Sequence, residues 1–542
     1  MKKIYAFMLG LAALVSFSAC TEDDYASKYL DPSKTTTVTC EKLMTGAFIA
    51  GNQNTFNSYW RMYTWDNYFG KLAQTIGFSN NSGTVYYIND GYANDRWNNF
   101  YDILRQYRVM EKVWNEEEDD AKAQDRVFLA LTEVFIYDHL SQLCDIWGPV
   151  PFSEAGNLGV TGDLVTSYPA YDSDVDLYKM MLENLDALYT EIGSLNNSLS
   201  STTKAKIAAQ DYINGGDLQM WQRYCNSLML RLGMHVALKG SLTSQGQAAV
   251  KTAAGRLLVT DLDNAIGVKA DADGFKYYEN YRDGFKDINN TASQVLIDAM
   301  QITGENDPRL PVIYVPDAEG NYYGMSTHET DDEQNERGGG SHNTEETRYY
   351  ARLNNITYMS NNYMWNPIIT ASEVYFLLAE AAQRGYISTT TAEAAFRNGV
   401  KYSILGYYKS NIESSQASLF YNSSAYNDFH ATDYPDSGEI DAYTSALWGA
   451  YGDKLNAIMT QKLVNFGILQ ATQAWTDIRR TGLPALYYPA DGADNNGYKT
   501  VTQRVKYPNT EAANNAANYE ANKANVNGDS AYYTLFWATE VK

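Results

Sequence analysis

The sequence predicts a mainly α fold: stacked helical hairpins of the tetratricopeptide type, with a loop-rich region inserted among them. Three observations carry that expectation. Apolar residues recur at helical spacing over long stretches joined by short polar turns. Ala392, Phe396 and Gly399 show the small–large–small spacing of the second helix in a tetratricopeptide unit. Between about 240 and 366 the periodicity gives way to short aspartate, glycine and tyrosine runs, including the polar stretch Gly324 to Asn343 with Gly338, Gly339 and Gly340.

Taken in order, the first helix starts at Glu41, with Leu43, Ala47 and Ala50 in register, and Trp60 to Tyr63 continues or follows it. Residues 78–95 carry turn chemistry around a short extended piece containing Tyr86 and Tyr87. A strong helix follows from about Asn94 to Asn115, with Trp97, Tyr101 and Leu104 on one face. The acids Glu116 to Asp120 form a turn that has the ligand type for calcium but reads first as solvated. The next helix spans roughly 121–147 on an apolar face of Val127, Leu131, Val134, Phe135 and Leu143. It stops at Gly148-Pro149, since proline cannot continue it. Further helices are expected at 174–192, 217–239, 371–386 and 391–409 and within 444–480, with Asn/Ala-rich helix in the tail after 495.

The amino terminus reads as a bacterial export signal. Lys2 and Lys3 precede an apolar run from Ile4 to Phe17, and Ser18-Ala19 lead into Cys20. That run is too short to span a bilayer stably. Residues 1–19 are therefore expected to be a lipoprotein signal peptide, Cys20 the lipidation site and 20–40 a flexible tether. Residues 41–542 would form one globule, with its variable insertion at about 240–366. Phe17 departs from the usual lipobox, where leucine is commonest.

Cleavage would remove two lysines and no acids, leaving 40 basic against 65 acidic residues, a net charge of −25. A field of that sign repels phosphate backbones, so nucleic acid is excluded as a partner class. Cys40, Cys144 and Cys225 are too few and too dispersed for a disulfide framework, and Cys144 and Cys225 read as buried thiols. The 45 tyrosines and 10 tryptophans supply flat apolar faces, tyrosine adding a hydroxyl, which suit sugar rings; most of the tyrosines also fit the simpler role of helix-boundary residues. His139, His235, His328, His342 and His430 form no zinc helix, and no nucleophile elbow, phosphate loop or dinucleotide fingerprint is present. No cofactor is expected; His328-Glu329 and His342 flank a polar loop with metal-capable side chains.

Five segments in order resemble the SusD/RagB family of nutrient-binding outer-membrane lipoproteins from Bacteroidetes. They are Leu140–Phe152, Trp221–Arg231, Asn306–Pro311, Glu373–Ala382 and Trp475–Pro484, the last followed by Arg504–Pro508 and Glu511. The resemblance implies one α-helical globule with four tetratricopeptide-like hairpins. It implies a lipid-anchored, surface-exposed protein that captures oligosaccharides and delivers them to a SusC-type TonB-dependent transporter. Some members bind oligopeptides, the RagB-type alternative. The motif residues Arg231, Arg309, Arg479 and Glu380 read as structural, in ion pairs or caps.

Family sugar contacts come from the loop before the Trp97-x-x-x-Tyr101 helix and from the insertion. The candidate ligand residues are therefore Asn81, Tyr86, Tyr87, Tyr92 and Asn94 in the loop, and Tyr322, Tyr323, Arg337, Tyr349 and Tyr350 in the insertion. Adjacent tyrosines on extended backbone point opposite ways, so one of each pair at most faces a given ligand. Arg337 and Arg348 are the local cations that would offset the negative field for an acidic glycan. A surface glycosidase would need two carboxyls about 5–10 Å apart, and no local motif marks such a pair. A surface adhesin is the third possibility, distinguished by a macromolecular ligand.

Overall fold

The computed structural model describes residues 38–50, 58–77, 83–164, 167–269, 284–285, 288, 291–337, 349–359, 361, 365–414, 428–493 and 497–542. Cys20, Asn81, His342, Arg348, the export signal and nearly all of the tether lie outside them.

Helix starts fall where polar side chains accept orphan amide protons. Asn89 accepts from Gly91 N and opens a helix from Asp90, Asp217 accepts from Gln219 N and Met220 N, and Thr391 accepts from Ala394 N. The resulting order begins with α1 (Cys40–Ala50). A π-helical turn (Arg61–Asp66) runs into α2 (Asn67–Leu72). Then come α3 (Asp90–Asn115), α4 (Asp119–Trp147), α5 (Asp174–Ser198), α6 (Ser201–Gln210), α7 (Leu218–Val236) and α8 (Thr243–Ala253). After β1 (Ile266–Lys269), α9 (Gln294–Gln301), β2 (Tyr314–Val315), α10 (Asp331–Glu336), β3 (Arg352–Leu353) and β4 (Trp365–Ile369), the stack resumes. Its second part is α11 (Ala371–Gln383), α12 (Ala392–Ile412), α13 (Ser437–Ala450), α14 (Lys454–Phe466) and α15 (Ala471–Thr481), with α16 (Asn509–Asn514) and α17 (Ala516–Lys523) in the tail. Strands β1 and β4 pair antiparallel, as do β2 and β3.

Residues 40–542 pack as one unit. The helices stack in neighbouring pairs: α3 on α4, α7 on α8 and on α5, α11 on α12, and α14 on α11 and α15. The fold class is therefore the one expected. Gly399 shows why a small residue sits at a hairpin crossing: a Cβ there would lie 2.9 Å from the Phe376 ring. Helix α4 ends at Gly148, whose φ of +86° few other residues adopt.

Two expectations are corrected. The first is the region from 240, which begins with a stacking helix rather than loops: α8 packs against α7. The second is the loop before the Trp97 helix, which ends sooner than expected. Asn89 caps α3, so Tyr92 and Asn94 are helical. Helix α6 was not anticipated, because it buries only Thr203 and Ile207.

The large buried side chains include many tyrosines whose hydroxyls find a partner. Tyr107 donates to Glu133, Tyr178 to Asp145, Tyr224 to Asp138, Tyr443 to Asp307 and Tyr507 to the Pro149 carbonyl. Such pairing lets a ring fill the core without an unsatisfied polar tip. Cys40, Cys144 and Cys225 are buried free thiols.

Asp174, at the start of α5, makes a testable case. Burial outweighs two backbone hydrogen bonds and pushes its carboxyl up to about 6. A raised folded-state pKa stabilises fully below the unfolded value, near 4, and loses that contribution as pH rises through about 6. Asp174→Asn should therefore flatten the loss of stability between pH 4 and 6 and gain ~1–3 kcal/mol at pH 7. Urea midpoints at pH 4, 5, 6 and 7 check this; an unchanged pH profile would contradict it.

Candidate functional site

The π-helical turn places four aromatic rings together. Tyr59 and Tyr63, four residues apart, stack with centroids 5.4 Å apart and planes 20° from parallel. Trp60 lies edge-on to Tyr59 at 4.9 Å and 41% exposed. Tyr92, on the first turn of α3, meets Trp60 at 5.9 Å and Tyr63 at 6.2 Å. π-Helical turns are rare and recur at functional sites, because the extra residue re-aims side chains. An indole this exposed, flanked by half-buried tyrosines, makes an amphipathic surface that can stack on a sugar ring. The Tyr92 hydroxyl stays protonated, its pKa raised by partial burial and then by Tyr63 and Asp95, and it is hydrogen-bonded to Tyr63. Of the candidates from sequence, Tyr92 belongs to this face. Trp60, Tyr59 and Tyr63 were missed as ligand residues; the available signal was a tyrosine pair at i, i+4 beside a tryptophan.

The insertion residues form a second group. Glu329 accepts from Tyr323 Oη at 3.0 Å and Tyr350 Oη at 2.8 Å, and pairs with Arg337 Nε at 3.3 Å. Arg337 lies over the Tyr323 ring at 4.3 Å, and Tyr323 stacks near Tyr350 at 5.9 Å. This cluster is self-satisfied. Tyr350 is fully buried, so its proposed ligand contact is corrected: its ring fills the core while its neighbour Tyr349 is 44% exposed. The Glu329 carboxylate is engaged by Tyr323, Tyr350 and Arg337. His328 instead stacks on Tyr487 at 4.4 Å, 8° from parallel. Tyr322 is half-buried against the core.

The first-loop tyrosines divide in the same way. Tyr86 is buried and donates to the Pro489 carbonyl at 2.5 Å, so it too is a core residue rather than a ligand contact. Tyr87 lines a pocket of about 390 Å³ that also holds Tyr498, Lys506, Tyr519 and Lys523, with Tyr498 at 5.6 Å. Asn94 accepts from Thr510 Oγ1 at 2.6 Å and ties α3 to the tail. The candidate residues thus fall into separate groups rather than one cleft. A roomier concavity of about 1000 Å³ is bordered by Asn214, Asp217, Leu262 and Lys409, but its described lining has no aromatic ring. Volume alone therefore does not favour it.

The family-like motif residues are structural. Arg231 forks onto Glu373 at 2.6 and 2.8 Å, and Arg309 onto Asp307 at 3.0 and 2.6 Å. Arg479 has no carboxylate fork: it donates to the Asp145 and Gln503 carbonyls and lies over Trp475 and Trp537. Glu380 sits in a buried ion-pair network with Arg480 and Arg384. Within the acidic turn, Glu117 joins Cys40 and Asp125 with ligand-type atoms within 4.8 Å. Burial and the two carboxylates push the Cys40 thiol far up, which favours the protonated, non-ligating form. Among the described residues no helix is long and apolar enough to cross a membrane.

Comparison with known proteins agrees with this architecture. A family model described as SusD-like, the Susd and RagB outer membrane lipoproteins, matches residues 28–539. A chitin-binding protein of known structure aligns with a TM-score of 0.72 and 23% identity, over 92% of this chain and 100% of its own. A chitin-binding SusD homologue from Flavobacterium johnsoniae aligns at 0.65 and 18% identity, over 91% and 98%. A SusD homologue from Parabacteroides distasonis aligns at 0.68 and 22% identity, over 93% and 98%. A search of curated protein sequences finds no match.

Proposed function

The chain belongs to the SusD and RagB family of outer-membrane lipoproteins, and from that premise we propose that it captures an oligosaccharide at the cell surface and passes it to a SusC-type TonB-dependent barrel. It is a binding protein, not an enzyme. The observation that carries the reading is the exposed Trp60 indole set among Tyr59, Tyr63 and Tyr92. Ring faces of this kind pack against the C–H faces of a sugar, while tyrosine hydroxyls bond its oxygens. The chitin-binding relatives support a β-linked amino-sugar polymer as the first ligand class to try. Lipid on Cys20 would hold the protein at the membrane, since the two acyl chains of a diacylglyceryl cysteine suffice for stable anchoring.

Ring–sugar contacts bury little area and replace water hydrogen bonds one for one, so affinity should be modest, with Kd roughly 10 μM–1 mM. Weak holding suits a relay. Calorimetry of the chain from Thr21 onward, against chito-, malto- and xylo-oligosaccharides and mixed peptides, tests the reading. Saturable binding of a glycan with no cleavage product is expected. Binding of peptides alone would move the ligand to the RagB type, and ligand cleavage would overturn the non-catalytic reading.

A further inference from the structure

Beside the π-helical turn lies a small, partly open cavity of about 40 Å³. It is lined by Arg61 and Trp65 of the π-helical turn, Arg96 of α3, Asp138, His139 and Gln142 of α4, Arg231 of α7, and Gln470, Thr472 and Gln473 where α15 begins. Three guanidiniums and one carboxylate therefore face it. That carboxylate is committed: Asp138 Oδ1 accepts from Gln142 and Arg231, and Oδ2 accepts from Tyr224. Arg231 is forked onto Glu373, and Arg61 reaches Asp66 and the Leu469 carbonyl.

Arg96 is different. It is 3% exposed, its one hydrogen bond is a long one to Gln142 at 3.4 Å, and its Nη1 has no partner. His139 is 4% exposed, and neither ring nitrogen has a partner. The first turn of α15 has no side-chain cap, and the amides of Ala471, Thr472 and Gln473 find no acceptor among the described residues. A buried cationic donor, a buried imidazole N–H and the positive end of a helix thus converge on one cavity. Such groups are costly to leave unmatched, and a helix N-terminus favours negative charge.

We propose that this cavity binds one small monovalent anion of halide size. By the same volume measure a water needs roughly 10–15 Å³, so the space admits a chloride or a few waters and excludes phosphate-sized groups with their solvent. Burial and the field of Arg61 push Arg96 down to about 9, so it stays charged at neutral pH. Arg61 follows Trp60 in sequence, and Arg96 lies four residues after Tyr92. The bound ion would clamp the π-helical turn to α3 and so fix Trp60 against Tyr92.

The test uses the chain from Thr21 onward, thermally unfolded in sodium chloride, bromide or gluconate at equal ionic strength and pH. A saturable rise in midpoint of about 2 °C is expected in both halides relative to gluconate, which is too large to enter. Arg96→Met should abolish the difference between salts. A bromide-soaked crystal of the unaltered protein should show an anomalous peak within hydrogen-bond distance of Arg96 Nη1, which decides the matter even if Arg96→Met does not fold. No halide-specific rise, an equal rise in Arg96→Met, or a bromide-free cavity holding water would each overturn the proposal. None of these readouts involves a glycan, so failure here leaves the capture reading standing.

Discussion

Glu380→Gln is expected to destabilise the fold by about 3–5 kcal/mol, the cost of breaking a buried ion pair from one side. Glu380 and Arg480 are fully buried and meet through two bonds of 2.7 Å. Asp477 bonds the same guanidinium and pairs with Lys462 at 2.7 Å, while Arg384 reaches Glu380 at 2.8 Å. Two carboxylates therefore balance three cations inside the protein. Removing one negative charge leaves Arg480 and Arg384 sharing too little compensation in a dry setting, where water cannot make up the loss. The paired change Glu380→Leu with Arg480→Met removes both charges together and should cost less than the two single changes combined, because Asp477 keeps Lys462. Urea unfolding of the four proteins in a cycle measures this; additive costs would mean the pair is not energetically coupled.

The same network fixes the direction of acid sensitivity. Burial opposes both carboxylates, but Arg480 and Arg384 hold Glu380 below its usual range, and Lys462 and Arg480 do the same for Asp477. Depressed folded-state values stabilise above the unfolded pKa, near 4, and that contribution is lost as pH falls through the folded value. Asp174 works in the opposite sense between pH 4 and 6.

How much of this was legible depended on what each residue's pattern could encode. Helix α4 was plain because Val127, Leu131, Val134 and Phe135 are all buried on one side, and because only a glycine suits the turn at 148. Helix α6 was not, since two buried residues in ten leave no periodic signal. Local geometry also resolved the paired tyrosines in part. Tyr86 and Tyr350 are buried while Tyr87 is half-buried and Tyr349 exposed, and which member is buried depends on packing against Pro489 and Glu329. The π-helical turn lay beyond sequence reasoning. The Tyr59/Tyr63 spacing beside Trp60 is visible in the sequence, but the meeting of these rings with Tyr92 of α3 is set by tertiary packing that no period encodes.

That convergence makes the second large effect a matter of ligand affinity rather than stability. Trp60→Ala with Tyr92→Ala should weaken glycan binding by at least about 30-fold, since an aromatic stacking contact is worth roughly 1–3 kcal/mol and two are removed. Stability should change little at position 60, where the ring is 41% exposed. Tyr92 is half-buried, so Tyr92→Phe is the sharper probe: it keeps the ring against Trp60 and Tyr63 and removes only the hydroxyl. If sugar oxygens contact that hydroxyl, Tyr92→Phe should lose about 1 kcal/mol of binding, with only a small fall in unfolding midpoint from the lost hydrogen bond to Tyr63. Tyr349→Ala, in the insertion, serves as the contrasting control, because its ring is 44% exposed and lies outside the aromatic group around Trp60. Calorimetry with the best glycan from the panel reads all three variants against the parent. Full affinity in Trp60→Ala/Tyr92→Ala would move the binding face away from the π-helical turn, toward the Tyr87 pocket or the insertion. Loss in that variant alone would place capture on the face where Trp60 meets Tyr92 of α3.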